Sequence, residues 1–190
     1  TVRRAAARAL ARIGGEGARA GLFRALADDD DEVAAWAAYG LGFWCRTFED
    51  KTVSALVAEA LARFSDDRPH PAAIDAYAAF ARAIGRCASA ASEPTLVAWL
   101  DGPRDRAVAA AFGLGDVGST KQKLLEDTIV ALLARAAGSA TSPPLPEALD
   151  AIGRIEHVPP TVIDRIREVA TARLAEPGPS RIFAVRALSR

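Results

Sequence analysis

The amino-acid sequence predicts an all-α protein in which helix pairs stack into a solenoid. Of its 190 residues 44 are alanine, which has the best helix propensity and is depleted in strands. Hydrophobic residues make up 51% of the chain but aromatic residues only 6%, so the helices must approach closely to build a core. A helical segment also recurs along the chain, as in repeat folds. These observations argue against an all-β or doubly wound α/β fold.

The recurring helical segment is clearest in three copies. Residues 2–14 read VRRAAARALARIG, residues 33–45 read VAAWAAYGLGFWC, and residues 106–118 read RAVAAAFGLGDVG. Because one such helix cannot bury its apolar stripe alone, stacked copies are expected to share a continuous core. Weaker copies with the same apolar spacing occupy residues 73–85, 144–156 and 180–190.

A second amphipathic helix is expected between successive copies. Leu56, Ala60 and Phe64 illustrate the helical spacing of its apolar residues. These second helices are expected at residues 16–27, 49–64, 92–100, 121–137 and 159–175.

Start and stop signals mark the expected helix ends. The four aspartates at 28–31 precede a helix that begins near Glu32, where they would cap the N-terminus and complement its dipole. No EF-hand loop follows them, so capping is favoured over calcium binding. C-terminal caps are expected at Gly14, Gly85, Gly118 and Gly138.

The string VRRAAARALARIG, together with LFRALADDDDEV at residues 22–33, resembles HEAT repeats, particularly the short bacterial type of the phycobilisome lyase family. The resemblance covers nearly the whole chain and is strongest to about residue 118. It implies a right-handed α-α superhelix of about five HEAT-like helix pairs. The helix of the VRRAAARALARIG type would be the second of each pair and would line a concave face that typically grips partner proteins. We expect one such domain over residues 1–190, as a fragment of a longer chain.

The helical register assigns the first copy two faces. Its apolar face, expected to pack in the core, carries Val2, Ala6, Leu10 and Ile13. Its solvent-facing stripe carries Arg4, Arg8 and Arg12. Transferred to later copies, the register predicts that Trp44, equivalent to Ile13, is a core residue. Trp99 is likewise expected in the core, on the intervening helix at residues 92–100.

Aromatic residues occupy the solvent-facing stripe of the second copy, where charged residues would be ordinary. Exposed aromatic side chains beside arginines are typical of protein interfaces. The alternative is that these rings fill gaps between alanine-rich helices or pack against a neighbouring helix. The interface interpretation predicts a groove for an extended peptide or a helix, centred on Trp36, Tyr39, Phe43 and Phe112 and flanked by Arg8 and Arg12.

The sequence offers no catalytic, metal or cofactor motif. His157 precedes two prolines in an expected turn, and no G-x-S-x-G string occurs. Cys45 and Cys87 match no metal-ligand or redox spacing and are expected to be small buried thiols. We therefore predict no catalytic residue, no metal and no cofactor.

Charge and hydropathy narrow the range of partners. The 24 basic residues balance 24 acidic ones, which argues against nucleic-acid binding. No apolar run approaches the roughly 20 residues of a membrane span. A protein or peptide is therefore the expected partner; the oligomeric state stays open, and a cytoplasmic location is favoured.

The favoured function is a non-catalytic protein-binding or scaffold module. The alternative is an enzyme or enzyme accessory on the same superhelix, and the resemblance suggests two cases. One is a HEAT-like DNA glycosylase, in which Asp116 and Trp36, with Arg8 or Arg12, would line a concave cleft. The other is a bilin lyase.

Overall fold

The chain folds entirely into helices and turns over the residues that the computed structural model describes, 2–45, 49–65, 75–120 and 123–189. The expected helical segments are present. The largest differences are at the ninth helix, which covers only Glu147–Ile152 of the expected residues 144–156, and at the eighth helix, which begins at Glu126 and not at residue 121. Helices α1 to α11 span Val2–Ile13, Gly15–Leu26, Asp31–Trp44, Glu49–Arg63, Ala76–Cys87, Ser92–Leu100, Arg104–Gly118, Glu126–Ala137, Glu147–Ile152, Pro160–Arg173 and Pro179–Leu188.

The helices form two rows. The odd-numbered helices pack side by side in chain order, and the even-numbered helices form a second row packed against them. Neighbouring even helices contact each other sparsely, so the odd row is the more closely spaced and lies on the inner side wherever the stack curves. Five helix pairs thus follow α1, which confirms the predicted all-α solenoid of stacked pairs.

Glycine and alanine allow the odd helices to approach at backbone distance. A Cβ atom on Gly40 would lie 2.8 Å from Cα of Ala11, and one on Gly113 would lie 2.6 Å from the carbonyl oxygen of Ala81. Gly85 faces the Gly113 carbonyl in the same way and is not a helix cap as expected, because α5 continues to Cys87. The small residues of the repeat therefore set the helix spacing.

Helix capping follows the sequence at two positions that matter for the site. Asp30 caps α3, since its carboxylate accepts hydrogen bonds from the backbone N–H groups of Glu32 and Val33 at 3.0 and 3.3 Å. Gly138 ends α8 with a φ of 70°, which favours glycine. The expected roles of the aspartate run and of this glycine are confirmed.

The core is a continuous layer of aliphatic side chains between the two rows. A cluster of aromatic rings adds bulk where α4, α5 and α6 meet: the ring of Phe64 lies 5.4 Å from those of Phe80 and Trp99. Trp99 is buried, as expected.

The core register of α1 was predicted wrongly by one residue. Ala7 and Ala11 are its buried side chains, whereas Val2 and Ile13 are 85% and 74% exposed. A one-residue shift rotates a helix by about 100°, and the alanines face α3 because only small side chains fit so close an approach. The remaining two residues of the expected core face are also misplaced: Ala6 is exposed, and Leu10 is only half-buried.

Two further expectations are corrected at the C-terminal end of α3. Trp44 is 39% exposed rather than buried. Its indole packs on the backbone of Gly14 at the edge of the stack, so only part of the ring is covered. Cys45 and Cys87 are buried as expected but are not thiols: they form a disulfide, with their Cα atoms 5.0 Å apart. The bond joins the C-terminal ends of α3 and α5, which lie side by side.

Candidate partner-binding face

An arginine side chain crosses every junction between neighbouring odd helices in the described part of the chain. Each guanidinium contacts an aromatic ring or a carboxylate of the neighbouring odd helix. The contacts lie on the side of the odd row that faces away from the even helices, which we call the odd-helix face. From α1 to α11 the arginines of this row are Arg8, Arg86, Arg82, Arg154 and Arg186, which we call the arginine row.

At the first two junctions the partners of these arginines are aromatic. The Arg8 guanidinium carbon lies 5.5 Å from the centre of the Trp36 ring, and that of Arg86 lies 5.4 Å from the centre of the Tyr39 ring. The two rings meet edge to face at 5.9 Å. This run of cation, ring, ring and cation spans α1, α3 and α5.

Phe43 extends the aromatic surface by one turn of α3. Its side chain is 62% exposed and contacts the Trp44 ring edge to face at 5.6 Å. Tyr39 is 40% exposed despite its contacts. We call Arg8, Trp36, Tyr39, Phe43 and Arg86 the aromatic segment of the odd-helix face.

At the remaining junctions the partners are aspartates. The Asp116 carboxylate accepts a hydrogen bond from Nε of Arg82 at 2.9 Å and another, on its second oxygen, from Nη2 of Arg154. Asp150 accepts from Nη1 of Arg186 in the same manner. Both carboxylates are 5% exposed and would be costly to bury without these cations. We call these five residues the aspartate segment.

The structure brings together four of the six predicted site residues. Arg8, Trp36 and Tyr39 are in contact, and Phe43 follows on the same helix. Arg12 is exposed one turn after Arg8, at the end of α1. Phe112 is half-buried on α7, which α5 separates from α3, so it lies outside the aromatic segment.

Sequence reasoning missed Arg82 and Arg86. When the register of the first copy is transferred to α5, Arg8 and Arg12 correspond to Ala79 and Ala83, but Ala83 is fully buried beneath Gly42 of α3. The signal that could have found them is the i, i+4 spacing of the two arginines, which places both on one face of α5.

Most acidic groups beside the N-terminal helices are already neutralised within the chain. Arg4 binds Asp30 and Glu32 at 2.8 Å, and Arg63 binds Asp31 at 2.7 Å. Burial raises the pKa of Asp30, but hydrogen bonds from Arg4 and from backbone N–H groups outweigh it and lower that pKa overall. The hydrogen bond to Asp30 likewise raises the pKa of Arg4.

The residues named for the DNA glycosylase alternative lie on helices that are not neighbours. Asp116 lies on α7 with both oxygens accepting hydrogen bonds from arginines, and Trp36 lies on α3 beyond the intervening α5.

A groove of about 420 Å³ lies at the other end of the stack, beside α10 and α11, and is lined partly by Ile155, Val158, Ile166 and Leu188. Among the described residues, no cluster of three or more His, Cys, Asp or Glu side chains is placed to hold a metal. None of the described helices combines the length and hydropathy that a bilayer span requires.

Comparison with known proteins shows the fold. No family model matches the sequence, and no curated protein matches it. Among solved structures, the complex of CpcE and CpcF of phycocyanin lyase from Nostoc sp. PCC7120 matches with a TM-score of 0.63 and 24% sequence identity, over 92% of this chain. The chain spans 65% of the length of that solved chain. The likeness confirms a HEAT-like helical-repeat fold.

Proposed function

We propose that this chain is a protein-binding module that holds its partner on the odd-helix face, with the aromatic segment as the main contact. The observation that carries the proposal is the exposure of Tyr39 and Phe43 between arginines that are held against neighbouring rings. Exposed Tyr, Trp and Arg side chains in one patch have the composition of binding hot spots.

The aromatic segment is also ordered before a partner arrives. Arg8 and Arg86 each lie on a ring supplied by a different helix, so their long side chains have already lost much of their rotamer freedom. Ordering a rotamer-rich side chain on binding costs about 0.5–1.5 kcal/mol. A patch ordered in advance avoids part of that cost. The solved structure that this fold matches is a complex of two protein subunits, which also supports a protein as the partner.

The proposal is tested by comparing proteins captured from a cell extract by three forms of the chain. They are the wild type, the Tyr39→Ser/Phe43→Ser double variant, and a Leu61→Ser control. Leu61 is 54% exposed on α4, so the control removes an exposed apolar side chain from the even row.

We expect at least one protein to be retained by the wild type and by Leu61→Ser but lost by the double variant. Circular dichroism must show the same helix content in all three forms. If no protein is lost, or if Leu61→Ser loses the same proteins, the aromatic segment is not the contact and the proposal is wrong.

A second candidate function is a subunit of a bilin lyase, which the matched phycocyanin lyase complex favours. The test is covalent attachment of a bilin to an apo-phycocyanin subunit, followed by fluorescence, with and without this chain. Attachment that depends on the chain would support the lyase function over binding alone.

A further inference from the structure

We infer that the segment of the partner that docks on the aromatic segment is acidic, with Asp or Glu carboxylates that pair with Arg8 and Arg86 and an apolar side chain that covers Phe43. This inference rests on the proposed function and specifies its partner. It follows from which arginines of the chain already have a carboxylate and which do not.

Every arginine of the aspartate segment already has a carboxylate partner. Arg82 and Arg154 share Asp116, and Arg186 binds Asp150. The acidic run at the start of α3 is paired as well, mainly with Arg4 and Arg63. These carboxylates are therefore not available to the arginines of the aromatic segment.

Arg8 and Arg86, by contrast, have only aromatic rings as partners among the described residues. Nη1 of Arg86 is buried and has no hydrogen-bond acceptor there. That nitrogen is out of reach of a docked partner, which would pair with the exposed part of the half-buried Arg86 side chain. Arg12, exposed one turn after Arg8, adds a third cation on the same side.

The ring contacts give Arg8 and Arg86 no carboxylate partner. Arg8 is exposed and Arg86 half-buried, so an accessible N–H edge keeps its capacity to donate to an acceptor. A carboxylate can accept two parallel hydrogen bonds from such an edge, the strongest pairing available to arginine. The spacing of cations around Tyr39 and Phe43 thus suits carboxylates that flank an apolar residue.

The extent of the unpaired charge favours a protein segment over a nucleic acid. The arginines of the row without a carboxylate partner lie on α1 and α5, whereas beyond them Asp116 and Asp150 offset two of the three charges of Arg82, Arg154 and Arg186. A nucleic-acid strand carries a phosphate at each nucleotide and needs cations along its whole path. The whole chain has 24 acidic residues against 24 basic ones, so it has no net positive charge to attract a nucleic acid.

The test is a selection from a display library of random 12-residue peptides on the immobilised full chain. Three baits are used: the wild type, an Arg8→Gln/Arg86→Gln double variant that keeps long polar side chains, and an Arg24→Gln control. Arg24 is exposed on α2, in the even row. The readout is the net charge of the enriched peptides.

We expect peptides enriched on the wild type and on Arg24→Gln to carry an excess of Asp and Glu around an aromatic or aliphatic residue. On the double variant that excess should disappear. A synthetic copy of one enriched peptide should bind each single arginine variant about 3- to 10-fold more weakly, and binding to the wild type should weaken as salt rises. An amide copy, with Gln and Asn in place of Glu and Asp, should lose the same affinity.

The inference is overturned if the enriched peptides are neutral or basic, if the double variant enriches the same acidic peptides, or if no peptide is enriched. A single-stranded dT12 oligonucleotide that binds as tightly as the selected peptide would also overturn it, in favour of a nucleic acid. If acidic enrichment fails while Tyr39→Ser/Phe43→Ser still abolishes protein capture, only the partner's charge is wrong. If both fail, the binding function itself is wrong.

Discussion

The aromatic and aspartate segments lie on the same row of odd-numbered helices. They differ in what the arginines contact, which is an aromatic ring in the first and a carboxylate in the second. In the aspartate segment, Asp116 is 5% exposed and holds cations from two neighbouring helices. In the aromatic segment the arginines lie on Trp36 and Tyr39 and meet no carboxylate in the described chain. In the first arrangement every arginine has a carboxylate partner within the stack, whereas the second leaves hydrogen-bonding capacity for another molecule.

The two segments also differ in what joins their helices. Close backbone approaches occur in both, as at Gly40 on Ala11 and at Gly113 on Ala81. Only the aromatic segment has a covalent link, the Cys45–Cys87 disulfide between α3 and α5. At the α3–α5 junction, where Arg86 lies on a ring and not on a carboxylate, the disulfide provides a link between the helices.

Among the substitutions that test this comparison, removing the disulfide should lower the free energy of unfolding most. Cys45→Ala/Cys87→Ala is expected to lower the free energy of unfolding by about 2–4 kcal/mol, because the bond closes a loop with a sequence separation of 42. Urea denaturation of the oxidised wild type and the variant measures the loss. The reduced wild type should lose a similar amount, and two free thiols titrated in unfolded, unreduced wild type would contradict the disulfide.

Removing the shared carboxylate should have the next largest effect and should act on the aspartate segment alone. We expect Asp116→Asn to destabilise the fold by roughly 1–3 kcal/mol, since two guanidinium groups lose their charged partner while solvent partly screens them. The matched control is Asp164→Asn, whose side chain is 96% exposed in its pair with Arg167 and should cost almost nothing. Equal losses in chemical denaturation would show that the buried aspartate is not a structural centre.

Truncating the aromatic side chains should change stability little if they form a contact surface. Phe43→Ser is expected to cost less than about 1 kcal/mol, a shift of no more than about 4 °C in Tm for a chain of this size. Phe80→Ser is the contrasting variant, because Phe80 is fully buried and its truncation should cost at least about 3 kcal/mol. A Phe43→Ser loss close to that of Phe80→Ser, seen by thermal melting, would assign Phe43 to the core.

The smallest expected effect is a pH dependence at the start of α3, beside the aromatic segment. The folded-state pKa of Asp30 lies below the ordinary value of 3.8, so its stabilising contribution is present above that pH and is lost as pH falls through the folded-state pKa. Asp30→Asn keeps the cap but removes the charge. Its stability deficit should therefore be under about 1 kcal/mol at pH 7 and should shrink below pH 3.8 in urea titrations. A deficit of equal size at both pH values would contradict the ionic role.

Prediction from sequence succeeded where one helix and its composition decide the outcome. Alanine content and apolar spacing predicted the helices, and the Asp30 cap required only local hydrogen bonds. Prediction was wrong where a neighbouring helix decides: the core face of α1 is shifted by one residue, and Trp44 is partly exposed. An alanine-rich helix such as α1 has nearly the same hydropathy on several faces, so its sequence pattern does not determine which face packs.

By itself, the sequence determined that this protein is a stack of helix pairs, since the helix propensity and repeating apolar pattern are carried by each segment alone. It also predicted Tyr39 and Phe43 on the solvent-facing stripe of one helix, with Trp36 beside them and Arg8 on the equivalent stripe of α1. Only the tertiary structure decided that Arg86 lies on Tyr39, that Asp116 unites two arginines, and that Cys45 pairs with Cys87. Each of those contacts joins residues more than 30 positions apart, and their distance is set by helix spacing that no single segment encodes.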